Sequence, residues 1–300
     1  MKFPLNSWRH KMAASIEVVL EPRNHDVGVP VRRLIPQHGH RACGPFVFFD
    51  HVGPADIAPG RGLDVRPHPH IGLATVTYLF EGAFMHRDSL GTVQRIEPGD
   101  VNWMSAGKGI THSERSPDDL RASGGAVHGI QTWVALPAAD EQSDPWFRHY
   151  PAAEIPSLKL DGVTLHVIAG EAFGLRSPVE TASPTLYVAA FLDPGASITV
   201  PSEHVERGIY LIDGELAIDG TALAVHQAAL LVRDATVELR AGAAGARLMM
   251  FGGAPLDGPR FIDWNFVSSR HDLIDAAKLA WRAQQFPMVP GETEWIPLPG

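Results

Sequence analysis

One cysteine, Cys43, in 300 residues excludes an intramolecular disulfide framework and fits a reducing compartment, with the thiol expected to be buried and structural. No stretch approaches the roughly 18 apolar residues of a membrane span. The first residues, Met1 to Ala14, mix Lys, Arg, Asn and His with no apolar run of leader length. A cytoplasmic protein without membrane association is therefore expected. Basic charge is also scarce: 25 Lys and Arg against 34 Asp and Glu leave a net charge of -9, which works against direct binding of nucleic acid or anionic lipid. With charged residues at 20% and hydrophobic ones at 45%, the chain is too apolar to be disordered.

What is abundant is punctuation. The 25 prolines and 29 glycines suit many short strands better than long helices, and the length suits two units of ~120 to 150 residues. Ile16 to Leu20, Val31 to Ile35 and the apolar segment from Gly44 to Pro54 read as strands, the first two separated by turn residues from Pro22 to Pro30. Leu73 to Phe80 alternates, and Glu81-Gly82 turns it back toward a strand near Ala83 to Asp88. Strands at Thr92 to Ile96, Val101 to Met104 and His128 to Leu136 complete this half.

Two ligand-type pairs bracket that alternating region, His68-Pro-His70 and His112-Ser-Glu114. Residues two apart on a strand face the same way, so each pair aims both side chains to one side. Three imidazoles and a carboxylate can then meet at one ion, a mixed N/O set suited to iron(II), manganese, nickel or zinc. His38-Gly-His40 has the same spacing but no carboxylate-bearing partner segment in the right place, and reads as a loop pair. Lys108 in Gly107-Lys-Gly109 is balanced between a solvated loop lysine and a contact for an anionic substrate. Tyr78, Phe84, Trp103 and Trp133 read as core before pocket lining; Asp50, His51 and His128 as structural residues or supports of the site.

Tyr78-Leu-Phe-Glu-Gly82 recurs as Tyr210-Leu-Ile-Asp-Gly214. In this register His68 and His70 match Val200 and Ser202, so the second copy lacks the ligands. The proline-rich stretch Pro137 to Pro156 is the expected connection, packed as a strap by Trp146, Phe147 and Tyr150. Residues 1–140 are thus expected to form a metal-binding unit and 141–260 a second unit of the same fold without metal. Residues 261–300 should hold a helix from Arg270 to Gln284, capped by Ser268 or Ser269, and an extended tail anchored by Trp295.

Gly44-Pro-Phe, Asp50-His51, His68-Pro-His70, Pro98-Gly-Asp100, the run from Met104 to Glu114 and Gln131-Thr-Trp-Val134 together resemble the pirins, a branch of the cupin superfamily. The resemblance spans nearly the whole chain. It implies an all-β fold of two cupin-type jelly-roll β-barrels in tandem with a C-terminal helix. It also implies one non-haem iron held by His68, His70, His112 and Glu114, with manganese, nickel, copper or zinc as alternatives. The general cupin motif places a glutamate a few residues after the histidine pair; here the region reads Ile71-Gly-Leu-Ala74-Thr75, and that second carboxylate is absent.

Some members of the family resemble quercetin 2,3-dioxygenases, and a eukaryotic one acts as a nuclear cofactor of transcription factors. The leading expectation is an enzyme: a monomeric iron-dependent dioxygenase acting on a small aromatic flavonol such as quercetin with O₂. Glu114 would be the catalytic base that takes the substrate hydroxyl proton. The competing expectation is a non-enzymatic, redox-sensing iron protein that binds a protein partner. A metal-dependent isomerase or lyase is a third, since fold does not fix function.

Overall fold

Alternation along Leu73–Glu81 sends Ala74, Val76 and Tyr78 to one face and Thr75 and Thr77 to the other, and the fold is built on that division. The computed structural model describes residues 13–26 and 29–300. The reading of the N-terminus and part of the turn before Pro30 fall on residues 1–12 and on Val27 and Gly28, outside the described residues.

Two sheets make the first barrel. The larger runs in the order Trp146–Tyr150, Val101–Ser105, Leu73–Glu81, Gly125–Ala135, Phe46–Ile57, Pro30–Ile35 and Arg23–Asp26. The smaller runs Asp64–His70, Ile110–Arg115, Phe84–Asp88, Val93–Ile96. The strand beginning at Phe46 continues past Gly53-Pro54 to Ile57, beyond its expected end. The strap contributes a strand of its own: Trp146–Tyr150 pairs antiparallel with Val101–Ser105 at the sheet edge.

The second barrel is one sheet whose main path is Ile16–Leu20, Ala228–Leu231, Glu206–Ile218, Val237–Gly253, Thr185–Leu192, Val163–Ala172 and Ser157–Leu160. Its first strand comes from the N-terminal part of the chain, so Ile16–Leu20 lies in space with the second unit although in sequence it precedes the first. The interior of this barrel is filled by apolar side chains, among them Leu165, Val188, Ile209, Leu211, Leu239 and Leu248.

Between the barrels lies a second apolar core, shared by Phe46, Phe49, Ala74, Val76 and Tyr78 of the first and Tyr187, Tyr210, Met249 and Phe251 of the second. Repeat-related tyrosines make reciprocal bonds across it: Tyr78 Oη lies 3.0 Å from His166 Nδ1, and Tyr210 Oη lies 2.8 Å from His51 Nδ1. Cys43 is buried here, 3.7 Å from the Phe251 carbonyl, and burial pushes its thiol far up.

The helix spans His271–Arg282 and buries Ile274, Ala277 and Trp281. Neither expected serine caps it; Arg270 occupies that place without a side-chain capping bond. Ser268 and Ser269 instead donate through both hydroxyls, each at 2.9 Å, to Glu141 of the strap. Glu141 is buried against the equally buried Arg260, 3.0 Å away, and a carboxylate so removed from water requires those donors more than the helix end does. The tail is not held by Trp295, which stays 40% exposed; it is held by Glu292 and by the backbone of Ile296.

Candidate metal centre

Asp64–His70 and Ile110–Arg115 are neighbours in the smaller sheet, with His112 opposite His68 and Ile110 opposite His70. The antiparallel pairing brings the two ligand-type pairs together, on the face that looks into the barrel. His68, His70 and His112 are all buried, and one ring nitrogen from each falls within 4.8 Å of the others. His70 Nε2 and His112 Nε2 are 3.1 Å apart. Glu114 lies outside this group, its Oε1 3.2 Å from the Thr77 hydroxyl, which is also 2.7 Å from Gln131 Oε1.

Proton placement decides what the three rings can do. His68 Nδ1 donates to the Arg66 carbonyl at 2.9 Å, and His70 Nδ1 donates to the Asn265 carbonyl at 3.1 Å. Asp88 Oδ1 accepts the Leu90 and Thr92 amides, leaving Oδ2 to accept from His86 Nε2 at 3.0 Å. His86 Nδ1 is then an acceptor, and the His112 Nδ1–H faces it at 3.4 Å. With His112 donating from Nδ1 to His86, all three Nε2 atoms turn a lone pair toward one point; otherwise the 3.1 Å contact between His70 and His112 Nε2 takes a proton from His112. The first arrangement fits a bound cation.

The electrostatics agree. Burial, opposed by the Arg66 carbonyl, lowers His68 to about 4, and burial with the neighbouring imidazoles holds His70 and His112 well below the usual range. Three neutral nitrogens are the form a metal requires. Burial raises the Glu114 carboxyl, against the opposing pull of His86 and the Thr77 bond.

The pair His86 and Asp88 was missed in the sequence. The signal was present, since it is a third i, i+2 pair of ligand-type residues on an alternating strand, beside His112 and Glu114 in register. Trp133 lines the site, its ring 5.2 Å from His70 and stacked on Phe48 at 4.0 Å. Tyr78 and Trp103 belong to the core between the barrels, and Phe84 to a separate apolar cluster. Asp50 is held by Arg33 through two 2.8 Å bonds. His51 and His128 sit at the inter-barrel face, 2.8 Å apart through their Nε2 atoms. His38 is exposed in a turn, and Lys108 is an exposed loop lysine paired with Asp144. Ala74 faces the inter-barrel core, so a carboxylate there would point away from the three histidines.

Tandem β-barrels with an inward-facing cluster of three histidines in the first define a two-domain cupin. Residues 28–134 match the Pirin family, and residues 187–287 match the Pirin C-terminal cupin domain. The chain belongs to the pirin family. It is 47% identical to a pirin-like protein of Caulobacter vibrioides over 95% of this chain and 99% of that one. It is 33% identical to Homo sapiens pirin, over 89% and 91% of the two chains. The crystal structure of quercetin 2,3-dioxygenase from Acinetobacter baumannii superposes with a TM-score of 0.87 at 33% identity, covering 94% of this chain and 95% of that one. Among the described residues no helix is long and apolar enough to cross a membrane.

Proposed function

We propose that His68, His70, His112 and Glu114 hold an iron(II) ion and that the protein is a dioxygenase cleaving a flavonol such as quercetin with O₂. The observation that carries the metal is the convergence of one ring nitrogen from each of His68, His70 and His112 within 4.8 Å in a buried site. The likeness to the Acinetobacter quercetin 2,3-dioxygenase along nearly the whole chain supports the substrate class.

A divalent ion held there would supply Lewis acidity toward a substrate hydroxyl and redox chemistry toward O₂. The protein supplies the rest. The Arg66 and Asn265 carbonyls fix the tautomers of His68 and His70, and the His86–Asp88 pair offers the His112 Nδ1 an acceptor. The Phe48–Trp133 stack offers an aromatic wall beside His70. Glu114, raised by burial, is a carboxylate suited to receive the flavonol proton on Oε1, which lies 3.2 Å from the Thr77 hydroxyl.

The test is an aerobic assay with quercetin after reconstitution with iron, and in parallel with manganese, nickel, copper and zinc. Metal-dependent ring cleavage that disappears in His70→Ala is expected. No cleavage with any of these ions, or full activity in His70→Ala, overturns the reading.

A further inference from the structure

The ladder between the two ligand strands is broken at one point. His112 pairs with His68, but Glu114 pairs with Val65, so Arg66 and Pro67 together stand opposite Ser113. This β-bulge falls between the proposed ligand positions, where the ladder alone does not fix the spacing of His68 and Glu114.

Both sides of the bulge are held from outside the sheet by the C-terminal tail. On one side Glu292 accepts a bond from the Ser113 hydroxyl and a forked pair from Arg115, whose Nε lies 3.1 Å from Oε2. Ser113 and Arg115 alternate with His112 and Glu114, so the carboxylate grips the outer face of the residues whose neighbours point inward. On the other side the Ile296 amide donates to the Pro67 carbonyl at 2.8 Å, and the Ile296 carbonyl is fixed by Trp281 Nε1 at 3.0 Å. The Glu292 side chain is only 10% exposed, while the neighbouring Glu294, which also reaches Arg115, is 52% exposed. A buried carboxylate with two partners on one strand restrains that strand; an exposed one contributes little.

We propose that Glu292 is a positioning residue for the metal strand, so that docking of the 292–296 tail and metal binding strengthen each other. Two sites joined through one bulge share a single coupling free energy, and the effect is reciprocal. The inference rests on the metal-centre reading and not on the reaction assigned to it.

The test uses cobalt(II) on the full chain, titrated against a competing chelator and read by its visible d–d bands. Loss of a hydrogen-bond partner of a metal ligand costs about 10- to 100-fold in affinity, and Glu292, one residue removed from the ligands, belongs at the low end. Glu292→Ala is expected to bind cobalt(II) about tenfold more weakly with altered bands, and Glu292→Gln, which keeps a bond to Ser113, to recover part of the loss. Lys278→Ala, which removes an ion pair with Asp263 in the same C-terminal region without touching the bulge, is expected to bind like the wild type. In the unsubstituted protein, cobalt(II) should slow hydrogen exchange at the Ile296 amide. Equal affinity and bands in Glu292→Ala, an equal loss in Lys278→Ala, or unchanged Ile296 exchange on loading overturns the coupling. If the unsubstituted protein and His70→Ala take up cobalt(II) alike, the metal centre itself is wrong and the coupling falls with it.

Discussion

Tyr210 Oη meets His51 Nδ1 at 2.8 Å, joining the two barrels, and the far side of the same ring meets His128 Nε2 at 2.8 Å. Both nitrogens of His51 are thus used by a neutral ring, one as donor and the other as acceptor. Burial, then the nearby His128 and Arg32, lowers His51 to about 2; burial and Arg247 lower His128 to about 4.

These two rings make stability fall in acid. Their folded pKa values lie below the unfolded value of 6.5, so the unfolded chain binds more protons once the pH drops under that value. The stabilisation is complete above about pH 6.5 and declines as pH falls toward 4, by ~1.4 kcal/mol per pH unit for each such group. Urea unfolding at intervals from pH 7.5 to 5 should show this slope, and His51→Leu should show a shallower one. Equal slopes in the two proteins would refute the assignment.

Much of this architecture was legible in the sequence because period-2 alternation survives in the strands that carry the site. The repeat at Tyr78 and Tyr210 pointed to duplication, and the structure gives the two tyrosines reciprocal partners, His166 and His51. Long-range pairings left no local trace. Nothing near Ile16 announces that its strand pairs with Ala228–Leu231. Ser268 and Ser269 look like caps locally, and only the buried Glu141, more than a hundred residues away, redirects them. Ala74 looked like a missing ligand because spacing alone does not give the side of the strand; the register does.

Restoring a carboxylate at position 74 should therefore fail as a metal-site repair. Ala74 is fully buried in the core between the barrels, and Ala74→Glu places an uncompensated polar group there, at a cost of roughly 3 kcal/mol or more. Thermal unfolding should drop by many degrees while bound metal per folded chain stays unchanged. Thr75 faces the other side of the strand, paired with Trp133 and Met104, so Thr75→Glu is the substitution that should change metal binding. Altered metal stoichiometry in Ala74→Glu without loss of stability would contradict the register.

Glu141 and Arg260 should behave as one buried unit. With the pair at 3.0 Å and both side chains almost fully buried, removing the carboxylate takes one of two anionic partners from the guanidinium and the acceptor from two serine hydroxyls. Breaking such a pair costs about 3 to 5 kcal/mol. Glu141→Ala should lose stability of that order in urea unfolding, with the loosening greatest around 260–270. A loss under 1 kcal/mol would mean that the Leu136 carbonyl and Asp257 suffice for Arg260.

Asp88 gives the sharpest test of the proton placement. Its Oδ1 is committed to the Leu90 and Thr92 amides, so in Asp88→Asn the carbonyl oxygen stays there and the amide nitrogen faces His86. His86 Nε2 must then accept, which moves the His86 proton to Nδ1 and sets it against His112 Nδ1, 3.4 Å away. Two donors cannot face each other, so His112 shifts its own proton to Nε2, the atom that converges with His70 and His68. The substitution changes almost no volume and leaves all four proposed ligands in place. Metal affinity should nonetheless fall by about 10- to 100-fold. Chelator competition with zinc would measure it, and wild-type affinity in Asp88→Asn would mean that the three Nε2 lone pairs are not set by this chain of hydrogen bonds.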